Sequence, residues 1–186
     1  KPDSTFMVGH SMGGGVTMAI MENFDKNYNG ALPLCPFASR AYLQCRKEFD
    51  MYATFNVLFP GVVPSLSNVV DISVPYTALN PREFGPKSKT IRDGFMKDSV
   101  LAAAFAKRFD LKLSDLPMSL MFNENVLRDN AQKAGGNPFD NTNTIYTGFG
   151  NDLEMNKKVE RLTAIGDPRK LFDRYDKTGN IKKPML

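Results

Sequence analysis

The sequence predicts an α/β fold in which a few buried parallel strands carry a large, mainly helical insertion. Three observations predict it. Ser4-Thr5-Phe6-Met7-Val8 is a short apolar strand and Val16-Thr17-Met18-Ala19-Ile20-Met21 opens a helix, with Gly9-His10-Ser11-Met12-Gly13 as the sharp turn between them. Ala31-Leu32-Pro33-Leu34-Cys35 is apolar without alternation, the form of a strand buried on both faces of a parallel sheet. From Pro36 to about Tyr175 the pattern is helical, interrupted by proline and glycine.

Taken in order, residues 4–9 form the first strand. Residues 11–24 form a helix whose apolar face is read from Val16, Ala19, Ile20 and Phe24 at i, i+3, i+4 spacing. A polar cluster at 25–30 stops that helix, and the second strand follows. Residues 39–59 read as a helix anchored by Tyr42, Leu43, Phe49, Tyr52 and Phe55, ended by Pro60-Gly61. Residues 62–86, with Pro64, Pro75, Pro81 and Pro86, are irregular, and residues 88–109 form a helix with Ile91, Phe95, Val100 and Phe105 near one face.

Ser114-Asp115 with Pro117 starts the next helix and Gly135-Gly136 ends it. Residues 137–151 are a polar loop, 152–164 a charged helix, and Asp167-Pro168 opens a last helix to about Tyr175. After a turn at 177–180, Ile181-Lys182-Lys183-Pro184-Met185-Leu186 reads as the lead into a further strand.

Composition bounds the chemistry. At 186 residues, 42% hydrophobic and 24% charged, the chain has the make-up of a globular domain with a real core. Its net charge of +4 is spread among carboxylates, a solvated surface and not a nucleic-acid footprint. No apolar run reaches the 18 or so residues of a membrane span. Lys1-Pro2-Asp3 leads straight into a strand, so the native N-terminus is expected to be missing and the compartment is left unread. Cys35 and Cys45 either pair in an oxidising compartment or are two separately buried thiols. They are too few for a metal site of cysteines alone.

The turn carries the pattern G-x-S-x-G. Reversing the chain within so few residues forces Ser11 to positive φ, and Gly9 and Gly13 are expected to let strand and helix approach without a Cβ clash. A glycine-rich turn without chemistry is the plain alternative. A dinucleotide loop fits worse, because the spacing is not G-x-G-x-x-G and no acidic residue ends a second strand about twenty residues on.

Strand, Gly9-His10-Ser11-Met12-Gly13-Gly14 and helix together resemble the nucleophile elbow of the α/β-hydrolase family, in the manner of serine esterases and lipases. The resemblance implies a partial core of parallel strands 5, 6 and the start of 7, with a large mainly helical cap. Residues 1–37 would be core, 38–178 cap or lid, and 179–186 the start of the next core strand. The stretch from Gly136-Asn137-Pro138-Phe139-Asp140-Asn141 through Tyr146-Thr147-Gly148 to Lys177-Thr178-Gly179 resembles the cap of a group of mostly bacterial hydrolases.

The resemblance implies Ser11 as nucleophile, the backbone N–H of Met12 as an oxyanion donor, and Gly9 and Gly13 as elbow glycines. It implies a small-molecule carboxylic ester as substrate, with no cofactor and no metal. Cap residues such as Phe55, Phe59, Phe95, Phe105, Met118, Met121 and Phe122 are candidates for an acyl or aryl pocket, with helical packing as the competing role.

A serine hydroxyl needs a base, and the single histidine, His10, stands where its side chain leaves in another direction from that of Ser11. It is read as a packed, hydrogen-bonded neighbour. In this family the acid follows strand 7 and the histidine strand 8. The expectation is therefore an internal segment whose base and acid lie outside it and whose partner is the remaining core of a parent hydrolase. Asp71, Asp140 and Asp152 are read as caps or loop solvators. The run Asp140-Asn141-Thr142-Asn143-Thr144 fails as a calcium loop because Ile145 stands where glycine is needed. The missing base also favours an alternative of another class, a non-catalytic fragment or a ligand- or partner-binding module.

Overall fold

A computed structural model of the chain describes residues 3–36, 40–75, 81–172 and 181–185. The architecture is mixed α/β, mainly helical, with one small parallel sheet. The chain divides into two compact units: Lys1–Gln44 with Phe172–Leu186, and Cys45–Leu171.

The first unit holds β1 (Phe6–His10), α1 (Met12–Asn23) and β2 (Gly30–Leu34). β1 and β2 pair in parallel from Phe6↔Gly30 to His10↔Leu34. Asn29 starts this register by donating its N–H to the Thr5 carbonyl at 2.7 Å while its Oδ1 accepts the Thr5 N–H at 2.8 Å. On the other side of β2, Ala31 forms a parallel bridge with Met185 and donates its N–H to the Pro184 carbonyl at 3.1 Å. β2 is thus the middle strand of the group, and among the described residues the outer edge of β1 has no strand beside it.

The helix buries a different face from the one its hydrophobic spacing predicts. Val16 and Phe24 are exposed, and the buried positions are Gly14, Gly15, Thr17 and Met21. The physical reason is proximity: α1 lies so close to the strands that a Cβ on Gly14 would sit 2.8 Å from the Leu34 carbonyl oxygen, so only small residues fit the contact. α1 covers the Gly9 face of β1. By strand alternation Phe6, Val8 and His10 lie on the opposite face, and all three are exposed.

The second unit contains α2 (Ala41–Leu58) from Cys45 onward, α3 (Leu66–Val69), α4 (Pro81–Phe95), α5 (Ser99–Arg108), α6 (Leu116–Ala134), α7 (Asp152–Lys158) and α8 (Arg169–Phe172) as far as Leu171. Its core is dense, with Phe49, Tyr52, Phe55, Leu66, Phe95, Leu116, Leu120, Leu127 and Phe139 fully buried. Phe55 stacks obliquely on Phe59 at 4.9 Å and meets Phe105 and Phe95 edge-on at 5.4 and 6.5 Å between ring centroids.

Several boundaries differ from expectation for local reasons. The irregular stretch contains α3, capped by the Ser65 side chain accepting from the Asn68 N–H. α4 starts at Pro81, where a first-turn proline costs no hydrogen bond, and runs through Pro86. The expected single helix over 88–109 is broken by a turn at Met96–Asp98, where Asp98 accepts the Leu101 N–H at 2.9 Å and caps α5. α6 has Pro117 in its first turn and ends on Gly135 at φ 76°.

α7 stops at Lys158, short of the expected 164. Two buried asparagines hold the chain beyond it. Asn141 Oδ1 accepts the Leu162 N–H at 2.7 Å, and the Asn137 carbonyl accepts the N–H groups of Ile165 and Gly166, both at 2.9 Å. The expected turn at 177–180, the end of the last helix near Tyr175, Ser39 and Leu186 lie outside the described residues.

Candidate active site

Ser11 stands alone between the end of β1 and the start of α1, at φ 53° and ψ −115°. These angles match the first central position of a type II′ turn, normally taken by glycine. A side chain held there stores strain on the order of 1–3 kcal/mol. The backbone fixes it from both sides: the Ser11 N–H donates to the Leu34 carbonyl at 2.9 Å, and its carbonyl accepts the Gly15 N–H at 3.1 Å. The hydroxyl makes no capping bond to the helix, and the residue is exposed. The outcome is a serine side chain presented at the carboxyl end of a parallel strand, the edge where open α/β sheets place their ligands.

The glycines around it divide by what a Cβ would meet. On Gly9 it would overlap the Gly13 carbonyl and come to 2.5 Å from Thr17 Oγ1, so glycine is required there. On Gly13 it would meet nothing within 4 Å. The close approach expected of Gly13 is made one residue later, by Gly14 against the Leu34 carbonyl. The G-x-S-x-G pattern counts Gly13 and not Gly14, so it does not reveal this contact.

Met12 begins α1, so its backbone N–H lies outside the intrahelical ladder and points into the space beyond the helix start. Its side chain is 72% exposed. His10, expected to be packed, is exposed at the end of β1, in register with Leu34 and on the face opposite α1. Burying it would require a layer that the described residues do not supply.

The three aspartates considered from the sequence all serve turns in the second unit. The Ser73 hydroxyl and N–H hold the Asp71 carboxyl below the usual range. The Thr142 hydroxyl and N–H do the same for Asp140, at 2.6 and 2.9 Å. The N–H groups of Phe149 and Gly148 depress Asp152, at 2.8 and 2.9 Å.

The aromatic residues considered for a pocket are largely core. Phe55, Phe59, Phe95, Phe105 and Met121 are buried within the second unit, whereas Met118 and Phe122 are exposed on α6. Two open grooves in that unit, of about 540 and 390 Å³, are lined by Ile145, Leu153, Asn156 and Arg161 and by Ser67, Asn137, Leu162 and Ile165 among others. Arg161 is occupied structurally, donating to the carbonyls of Asn141 and Thr144 at 2.7 and 2.6 Å.

Both cysteines are free thiols. Cys45 is part-buried, and burial pushes its thiol up to about 11, so it is not a nucleophile at neutral pH. Cys35 is exposed, at φ 45°, and sequence reasoning gave it no part in the site. It follows Leu34, whose carbonyl accepts the Ser11 N–H, just as Ser11 follows His10, the partner of Leu34.

Among the described residues no three His, Cys, Asp or Glu side chains converge as a bound metal ion would need, and no helix is long and apolar enough to cross a membrane. Compared with family models, with curated proteins and with solved structures, the chain has no match in any of the three.

Proposed function

We propose that this chain is part of an α/β-hydrolase, with a partial core at residues 1–37 and 179–186 and a helical cap at 38–178, and that Ser11 is the nucleophile of a serine esterase. One observation carries the proposal: a non-glycine residue held at φ 53° and ψ −115° at the tip of a strand–turn–helix, with its hydroxyl unused and exposed. Strain of this kind persists where the surrounding structure holds it, and a serine so held is set up for attack.

In this reading Ser11 Oγ adds to the carbonyl carbon of a small carboxylic ester, the negative oxygen forms near the Met12 N–H, the alcohol leaves, and water releases the acid. The proton of Ser11 passes to a histidine, oriented by an acid, that these residues do not include. The open edge of β1 and the uncovered face bearing Phe6 and Val8 are where the remaining core would join. No cofactor takes part.

The absence of a second histidine favours one other reading, a non-catalytic module that binds a ligand or partner. A fluorophosphonate probe on the complete protein separates the two. The expected result is a single adduct on the peptide containing Ser11, lost in Ser11→Ala, while the 186-residue chain alone gives no Ser11-dependent hydrolysis of p-nitrophenyl acetate. An unlabelled Ser11 in a folded complete protein would overturn the esterase reading.

A further inference from the structure

We infer that the carboxyl end of β2 forms the wall beside the nucleophile and that the Cys35 side chain touches the acyl group of the substrate, setting its size; this rests on Ser11 being the nucleophile. The ladder is unbroken from Phe6↔Gly30 to His10↔Leu34, and the Ser11 N–H closes that last pair by donating to the Leu34 carbonyl at 2.9 Å. Ser11 and Cys35 are therefore each the first residue beyond the last pair, where both chains turn away at positive φ from the ends of adjacent strands.

Both residues are exposed at the same end of the sheet. On its other side β1 has no strand among the described residues, so the wall that this unit itself gives Ser11 is the end of β2. Leu34 and Pro36 are committed to the backbone contact with Gly14, at 2.8 and 3.3 Å from the place of its Cβ. Cys35, between them, is exposed. An acyl group on Ser11 Oγ reaches the neighbouring strand end, and a small thiol there admits chains that a larger group would exclude.

The test is a reversible enlargement of residue 35 in the folded, complete protein. Methyl methanethiosulfonate transfers its methylthio group to the Cys35 sulfur: the new S–S bond forms as methanesulfinate leaves with the electron pair, and the thiol proton goes to solvent. Turnover of p-nitrophenyl butyrate and p-nitrophenyl acetate is followed before and after, in wild type, Cys35→Ala and Ser11→Ala. The adduct is expected to slow butyrate about tenfold and acetate less than about twofold, the scale on which a pocket discriminates small apolar groups. Dithiothreitol restores the rate, and Cys35→Ala is insensitive to the reagent.

A mass-confirmed adduct on Cys35 that leaves both rates unchanged, or lowers both equally, overturns the inference while leaving Ser11 as nucleophile. Turnover that persists in Ser11→Ala overturns the nucleophile itself, and the role of Cys35 with it.

Discussion

The two units use their apolar residues in opposite ways. In Cys45–Leu171 the large side chains turn inward, and Phe49, Tyr52, Phe55 and Phe139 are wholly excluded from water. In the strand unit Phe6 and Val8 are 67% and 63% exposed, Val16, Phe24 and Leu34 are exposed as well, and α1 buries mainly glycine and threonine. A helical unit can close its core on itself, whereas a parallel sheet is normally covered on both faces, and here α1 covers one. The difference teaches that the strand unit is held by close backbone contacts and a strained turn, and the helical unit by side-chain volume.

The largest expected effect tests that division directly. Phe55→Ala should destabilise the helical unit by about 3–5 kcal/mol, because its ring meets three others and leaves a cavity. Phe6→Ala, at an exposed position, should stay within about 0.5 kcal/mol. Urea unfolding followed by residue-resolved amide exchange measures both. A Phe6→Ala cost comparable to that of Phe55→Ala would break the comparison, since it would mean the exposed face is buried in solution.

Within the strand unit the ordering should follow backbone geometry. Gly9→Ala forces a Cβ onto the Gly13 carbonyl and should cost about 1–3 kcal/mol. Ser11→Gly should raise stability by about 1 kcal/mol by releasing the positive-φ strain, while abolishing any reaction at that position. Gly13→Ala, with open space around the new methyl group, should be neutral or stabilising by up to about 1 kcal/mol. Protection factors of β1 and α1 amides report all three. If Gly13→Ala were as costly as Gly9→Ala, the assignment of the close contact to Gly14 would fall.

Much of this was legible in the sequence, for identifiable reasons. The positive φ of Ser11 follows from reversing strand to helix across one residue. The end of α6 follows from Gly135, and the turn roles of Asp71, Asp140 and Asp152 follow from short polar side chains in loops. What was not legible depends on distance between segments. Periodicity selected Val16 and Phe24 as the inner face of α1 because it counts apolar residues and cannot register that the strands come too close for them. The early end of α7 depends on Asn137 and Asn141, some twenty residues away in sequence. That Cys35 and Ser11 leave adjacent strand ends follows from the pairing of His10 with Leu34, which no local pattern encodes.

The smallest effect expected is a response to acid that one unit has and the other lacks. Asp152 accepts the N–H groups of Phe149 and Gly148, which hold its carboxyl below the ordinary value of about 3.9. A carboxyl depressed in the folded chain contributes fully above its unfolded value and loses that contribution as pH falls through the lower folded value. The Gly148 and Phe149 amides should therefore shift and exchange faster only below about pH 3.9, with a midpoint under that value, and Asp152→Asn should remove the step. The tie of Ser11 to Leu34 is backbone to backbone and has no titrating partner, so its amide should pass through the same range without a step. A midpoint at or above the ordinary carboxyl value for Gly148 and Phe149, or an equal step at Ser11, would show that acid loosens both units together and that their stabilities are not set by separate means.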